Sequence, residues 1–259
     1  MRRILLRVSY DGTNYHGFQE QPNAVTIEGE LNKALSDLNQ TEIHVIGASR
    51  TDAGVHAYDN VAVFDTELRM SAEKFVPALN TRLPDDIVIQ SSEECESDFH
   101  PRKCDCKKTY EYRILARKVP LPEYRNNAYF FYRPLDIKAM ERAAIFFKGR
   151  HDFNAFCSAK TVTKTTIRTI YNVAIREEKI KEGGRLITIS ITGNGFLYNM
   201  VRIIAGTLLQ VGIGAIKPTD IPKIIMSKER ENAGPTAPPQ GLKLKKIEFK
   251  GGKSKKSAE

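Results

Sequence analysis

The chain has 259 residues, 41% of them hydrophobic and 27% charged, the balance of a folded globular protein with room for one large domain or two ordinary ones. Its formal net charge of +9 favours a polyanionic partner such as nucleic acid, although charge of this size is also common in proteins that bind none. No apolar run reaches the length of a membrane span, and Met1-Arg2-Arg3-Ile4 leads straight into a strand pattern. Neither a signal peptide nor a membrane anchor is therefore expected, and a cytoplasmic location is.

The first strand is expected at Ile4 to Val8, followed by a turn at Tyr10-Asp11-Gly12-Thr13. Thr26 is placed to N-cap a helix whose apolar positions Ile27, Leu31, Ala34, Leu35 and Leu38 follow helical spacing. Ile43 to Ile46 and Val61 to Phe64, short and rich in β-branched residues, read as strands. Between them lies Gly47-Ala48-Ser49-Arg50-Thr51-Asp52-Ala53-Gly54-Val55-His56-Ala57. This loop presents one carboxylate, Asp52, beside the cation Arg50, with glycines on either side to permit a tight exposed path. A plain turn in which Asp52 bonds local N–H groups is the other reading of this loop. Ser71 is placed to cap a second helix carrying Phe75, Val76 and Leu79, and Asp86 to Ile89 makes a last strand. The order is βαββαβ.

The second half repeats that order. Thr109 to Leu115 alternates as a strand, with Tyr110, Tyr112 and Ile114 on one side. Asp136 is expected to cap a helix containing Met140, Ala143, Ala144 and Phe147, with Gly149 at its C′ position. Ile167 to Ile175 and Leu186 to Ile191 read as a hairpin through Gly183-Gly184. Leu197 to Val211 is an apolar helix expected to pack deeply, a short helix starts near Asp220, and Leu242 to Phe249 closes as a strand. Two such units imply an α+β protein of two ferredoxin-like (split βαβ) domains, with mainly antiparallel sheets meeting at a central cleft. The expected division is an N-terminal domain over 1–104, a C-terminal domain over 105–250 and a basic disordered tail over 251–259. Basic residues also punctuate the body, at Arg102, Lys103, Lys107, Lys108, Lys160, Lys164 and Arg168.

Four cysteines occur, Cys95, Cys104, Cys106 and Cys157. Cys104-Asp105-Cys106 has one residue between its sulfurs and no second close pair or histidine cluster to complete a zinc site, so free thiols and no metal are expected. Tyr110 follows Lys107 and Lys108 and could stack on a base, whereas Tyr112 reads as ordinary strand packing. Arg202 is a cation inside an apolar helix, where it needs a partner or an exit to the surface. Asp52 is a candidate partner, and pairing with Arg202 or Arg50 would hold its pKa below the ordinary value of about 3.9. Hydrolysis of a glycosidic bond would normally need a second carboxyl as proton donor, whereas the zinc signature of a deaminase and the metal-binding acids or P-loop of phosphoryl transfer do not appear in the sequence. One chemistry that needs a single carboxylate is cleavage of the glycosidic bond of uridine and rejoining of the ring through carbon. The residues make that chemistry open without selecting it over RNA binding alone or a uridine-specific nucleosidase.

The chain resembles the TruA family of tRNA pseudouridine synthases from Tyr10 to Phe249. The resemblance is carried by Tyr10-Asp11-Gly12-Thr13-Asn14-Tyr15-His16-Gly17-Phe18-Gln19, by Arg50-Thr51-Asp52-Ala53-Gly54-Val55-His56-Ala57, and by Ala78-Leu79-Asn80 with Leu83-Pro84-Asp85-Asp86-Ile87. Further along it rests on Phe99-His100-Pro101-Arg102, Lys108-Thr109-Tyr110-Glu111-Tyr112, Gly149-Arg150-His151-Asp152-Phe153 and Arg168-Thr169-Ile170. Phe196-Leu197-Tyr198-Asn199-Met200-Val201-Arg202 and the run from Gly234 to Leu242 complete it. The resemblance implies Asp52 as the catalytic aspartate and Arg50 as an aid in bringing a flipped uridine into the cleft. It implies Tyr110 stacked on the uracil and available as base for the C5 proton, Arg202 paired with Asp52, and Leu242 packed on the target base. The implied substrate is uridine at positions 38 to 40 in the anticodon stem-loop of tRNA. A homodimer without metal or small-molecule cofactor is also implied. Ser49 stands where the family usually has glycine, and Cys104-Asp105-Cys106 occupies a variable connector.

Overall fold

The computed structural model describes residues 1–158, 163 and 165–250, so Lys160, Lys164 and the tail from 251 onward lie outside the described residues. Among the described residues there are ten strands and five α-helices, an α+β chain. It divides into two compact units: Met1–Cys106, joined by the chain from Leu244 onward, and Lys107–Lys243. No helix among the described residues is long and apolar enough to cross a membrane.

The first unit begins with β1 (Arg2–Tyr10), α1 (Ile27–Asn39), β2 (Ile46–Gly47) and β3 (His56–Thr66). It continues with α2 (Phe75–Asn80) and β4 (Ile87–Cys95). Its sheet runs β4, β1, β3 and then the last strand of the chain, with β2 also on β3. β1 is antiparallel to both neighbours, and its central Ile4, Leu5 and Leu6 are all buried, as a strand covered on both faces requires. Thr26 caps α1 as its position predicts, accepting the Gly29 N–H at 3.2 Å.

Two stretches of the first unit depart from the expected elements. Ile43 to Val45 is not strand, and only Ile46–Gly47 pairs, with Val63 and Ala62. Side chains of α1 take the backbone groups that a ladder would use: the Ile43 N–H goes to Ser36 Oγ at 2.9 Å and the Val45 N–H to Asn32 Oδ1 at 2.9 Å. Ser71 opens a short 3₁₀ turn, Ala72–Lys74, rather than the helix itself, and makes no side-chain cap bond.

The second unit contains β5 (Cys106–Ala116), β6 (Tyr129–Phe131), α3 (Ile137–Ala144), β7 (Gly149–Asp152) and β8 (Ile167–Lys179). It goes on through β9 (Arg185–Gly193), α4 (Met200–Gly212) and α5 (Ile221–Ser227), and β10 (Leu242–Phe249) ends the chain's regular structure. Its sheet runs β5, β9, β8, β7, with β6 parallel on β5. Tyr110, Tyr112 and Ile114 face Ile191, Ile189 and Ile187 across the β5–β9 ladder, and all six are buried. The β8–β9 hairpin turns through Gly183 and Gly184, whose φ angles of +79° and +98° suit glycine alone. Asp136 caps α3 by accepting the Ala139 N–H at 2.9 Å. Gly149 does not end that helix. The helix stops at Ala144, a 3₁₀ turn follows, and Gly149 at φ +113° opens β7.

α4 starts three residues later than its apolar run, because Asn199 sits in the left-handed region at φ +61° and breaks the helical path. Nearly the whole helix is buried, Arg202 and Gln210 being its half-buried members. It packs at backbone distance on the segment around Gly234, whose N–H reaches Thr207 Oγ1 at 2.9 Å.

Candidate active site

Asp52 is half-buried and Arg50 exposed, in a loop whose intervening Thr51 and preceding Ser49 are buried. The loop therefore hangs from its own interior residues. The Thr51 carbonyl accepts the Phe18 N–H at 3.0 Å, and the Ala48 N–H donates to the Val61 carbonyl at 2.7 Å. On the far side the Gly54 N–H reaches the Tyr15 carbonyl at 3.2 Å, and the Val55 N–H turns back to the Asp52 carbonyl at 3.1 Å. The turn that follows β1 presses against the loop with no space for side chains. A Cβ on Gly12 would stand 2.1 Å from the Val55 carbonyl oxygen, and one on Gly17, at φ +94°, 2.6 Å from that of Thr51. The segment Tyr10 to Gln19 is thus the cradle of the Asp52 loop.

Arg102 grips the other shoulder. Its Nε donates to the Gly47 carbonyl at 2.7 Å, and a guanidinium nitrogen lies 3.9 Å from the Glu28 carboxylate. Burial lowers its pKa and the Arg50 cation lowers it further, with Glu28 opposing both. Two guanidiniums therefore bias this shoulder toward anions.

His56 follows the loop on β3. Its Nδ1 accepts the Gly12 N–H at 3.1 Å and lies 3.0 Å from Asp11 Oδ1. Burial opposes ionisation of Asp11, but bonds from the Thr13 hydroxyl and N–H outweigh it and hold the carboxyl below its ordinary pKa. A carboxyl whose pKa falls on folding stabilises the protein fully above its unfolded pKa of about 3.9, and that stabilisation is lost as pH falls through and below this value. Urea unfolding of Asp11→Asn between pH 3 and 6 is accordingly expected to show a shallower loss of stability toward acid than wild type.

The remaining predicted site residues, Tyr110, Arg202 and Leu242, lie in the second unit. Tyr110 on β5 is buried, with its ring edge-on to Phe196 at 5.2 Å between centroids. Arg202, in the first turn of α4, donates from Nε to the Ala237 carbonyl and from Nη1 to Asn199 Oδ1, each at 2.7 Å. Asn199 is anchored in turn on Ser158 Oγ at 2.9 Å. Arg202 is therefore oriented within its own unit and does not simply run out to solvent. Leu242 is buried at the start of β10, next to Gly241, where a Cβ would meet the Arg113 carbonyl at 2.8 Å. Tyr112 keeps the structural role expected of it: its hydroxyl donates to the Pro238 carbonyl at 2.8 Å, and burial pushes its pKa up so that it stays a donor.

Sequence reasoning singled out the charged tip of the loop and missed its supports, chiefly Tyr10, Asn60 and the grip of Arg102 on Gly47. The one signal available was Asn60, a polar residue directly before the apolar run Val61 to Phe64 of β3.

A family model described as tRNA pseudouridine synthase matches residues 7–102 and 143–250. The first stretch holds Arg50 and Asp52 and the second Arg202 and Leu242, while Tyr110 falls between them. The tRNA pseudouridine synthase A of Thermoanaerobacter sp. (strain X514) is 48% identical over 247 residues, covering 95% of this chain and 99% of its own. That of Caldicellulosiruptor bescii is 48% identical over 244 residues, 94% of this chain and 98% of its own. That of Acetivibrio thermocellus is 46% identical over 250 residues, 96% and 100% respectively.

Proposed function

The chain belongs to the tRNA pseudouridine synthase family, and from that premise we propose that Asp52 is the carboxylate through which it works. The protein is an isomerase that converts uridine in tRNA to pseudouridine. The observation that carries the assignment to Asp52 is the loop itself: a half-buried carboxylate in a segment pinned through Thr51 on one side and through Gly54 and Val55 on the other. Rigid support of one charged group on a strand scaffold is what precise placement at a reacting atom requires.

In the proposed reaction a uridine leaves the tRNA stem, at a cost of a few kcal/mol of unstacking that basic side chains offset through phosphate contacts. Ionised Asp52 then either attacks C1′ or removes the C2′ proton, and the C1′–N1 bond breaks. The freed uracil turns and C1′ bonds to C5, as the Asp52–C1′ ester bond breaks on the first route or Asp52 returns its proton to C2′ on the second; the C5 proton then departs and N1 regains a proton, so the atoms of substrate and product are the same. Arg50 draws the flipped nucleotide in, Tyr110 stacks on the uracil and takes the C5 proton, Leu242 packs on the base, and Arg202 serves as the cation for Asp52. The proposed target is positions 38, 39 and 40 of the anticodon stem-loop, acted on in the cytoplasm by a homodimer without metal or cofactor. Two ferredoxin-like domains are the proposed architecture. Supporting it, the first unit has the order β1, α1, β2, β3, α2, β4 and places β4 beside β1, β1 beside β3 and β3 beside β2.

Incubation with unmodified tRNA followed by complete nuclease digestion tests this reading. Pseudouridine at the expense of uridine is expected. Unchanged uridine would mark an RNA-binding protein, and abasic sites with free uracil a nucleosidase.

A further inference from the structure

The Asp52 loop is held from within by a chain of side-chain hydrogen bonds rooted at Asn60. Asn60 on β3 is fully buried. Its Oδ1 accepts the Val61 N–H at 2.9 Å, and because a backbone N–H only donates, this contact fixes which end of the amide is oxygen. Nδ2 then faces the Ser49 carbonyl at 2.9 Å and the Tyr10 hydroxyl at 3.1 Å. An amide NH₂ offers hydrogens and no lone pair, so the Tyr10 oxygen accepts from Asn60. The Tyr10 hydroxyl in turn shares a hydrogen bond with the Thr51 hydroxyl, whose Oγ1 lies 2.8 Å away. Tyr10 and Thr51 are both buried, so solvent does not readily replace a bond lost from this chain.

We propose that the hydrogen-bond chain from the Asn60 amide through the Tyr10 hydroxyl to the Thr51 hydroxyl makes these three residues positioning residues for Asp52. They set the carboxylate for reaction without touching the substrate. The inference rests on the reading of Asp52 as the catalytic carboxylate. Thr51 is its covalent neighbour and is held at both ends: its side chain by Tyr10, and its carbonyl by the Phe18 N–H at 3.0 Å. A swing of the Thr51–Asp52 peptide, which would carry the carboxylate with it, breaks one or the other. Packing alone does not call for hydroxyls here. Phenylalanine and valine have nearly the shapes of tyrosine and threonine, so the hydroxyls serve hydrogen bonds: that of Tyr10 gives the buried Asn60 amide an acceptor and holds the hydroxyl of Thr51. Two hydroxyls at this place instead tie Thr51 to Asn60, and the residue next in line is Asp52.

The test uses the full chain and an unmodified tRNA transcript, with kcat, KM and melting temperature measured for Tyr10→Phe, Thr51→Val, Thr51→Ser and the Tyr10→Phe/Thr51→Val double variant. Tyr10→Phe and Thr51→Val are each expected to lower kcat about 100-fold, the size of effect that small misplacements of a reacting group produce, with KM within about threefold of wild type. Thr51→Ser, which keeps the hydroxyl, retains kcat, and the double variant is no slower than the worse single one because one chain is broken once. Wild-type kcat in Tyr10→Phe and Thr51→Val overturns the proposal. So does a Thr51→Ser loss equal to that of Thr51→Val, or multiplying losses in the double variant. Tyr10→Phe, which removes a single oxygen, carries the test by itself if Thr51→Val does not fold. Asp52→Asn assayed alongside separates the two levels. Turnover by Asp52→Asn removes the reading of Asp52, whereas a dead Asp52→Asn beside fully active Tyr10→Phe and Thr51→Val removes only the positioning chain.

Discussion

Asp52→Asn is expected to lower kcat by about 10⁴-fold or more while leaving tRNA affinity within about threefold of wild type. The substitution keeps the shape of the side chain and deletes its charge. Both routes open to the reaction, attack on C1′ and removal of the C2′ proton, require an ionised carboxylate, and an amide supports neither. Binding is governed by different groups. Phosphate contacts from basic side chains dominate affinity for tRNA, and loss of one anion near the polyanion does not weaken them. Pseudouridine formation under single-turnover conditions, paired with a filter-binding isotherm for the same variant, separates the two quantities. A parallel fall in both would point to a collapsed loop instead of a missing nucleophile or base.

The second large effect concerns the second unit. Gly206→Ala is expected to destabilise the protein by about 3 kcal/mol and to reduce activity. In an open helix the same change stabilises by roughly 1 kcal/mol, because glycine is the poorer helix former. At Gly206 the new Cβ would stand 1.8 Å from the Pro235 carbonyl oxygen, and the obstacle is backbone that cannot rotate aside. Either α4 or the segment from Gly234 to Ala237 has to move. That segment holds the carbonyl of Ala237, which takes the Arg202 Nε, and the Ala237 N–H returns to the Arg202 carbonyl at 3.1 Å. The clash is thus transmitted to the orientation of Arg202. Chemical denaturation gives the stability change, and kcat at a temperature where the variant remains folded gives the effect on Arg202.

Much of the fold is legible in the residues because the signals are local. Thr26 and Asp136 cap helices by bonding an N–H three residues on, and Gly183-Gly184 supplies the positive φ angles of a hairpin turn, so neighbouring sequence suffices. The errors arise where tertiary partners override local preference. Ile43 to Val45 has strand composition, yet side chains from α1 satisfy its backbone, and Gly149 has the look of a helix end but begins a strand instead. The candidate site divides in the same way. Arg50 and Asp52 stand out in a glycine-framed loop, and Arg202 stands out as a cation in an apolar helix. Tyr10 and Asn60 lie 50 residues apart and are meaningful only once β1 and β3 are paired, and Arg102 reaches Gly47 across 55 residues. No pattern within a window of sequence reports such contacts.

The most direct test of the central claim, that this chain rebuilds uridine in the anticodon stem-loop through Asp52, is release of tritium from tRNA carrying 5-tritiated uridine only at positions 38 to 40. Wild-type protein is expected to release one tritium for each pseudouridine formed, and Asp52→Asn none. Tritium release by Asp52→Asn at the wild-type rate, or label retained in this tRNA while uridines elsewhere are converted, would contradict it.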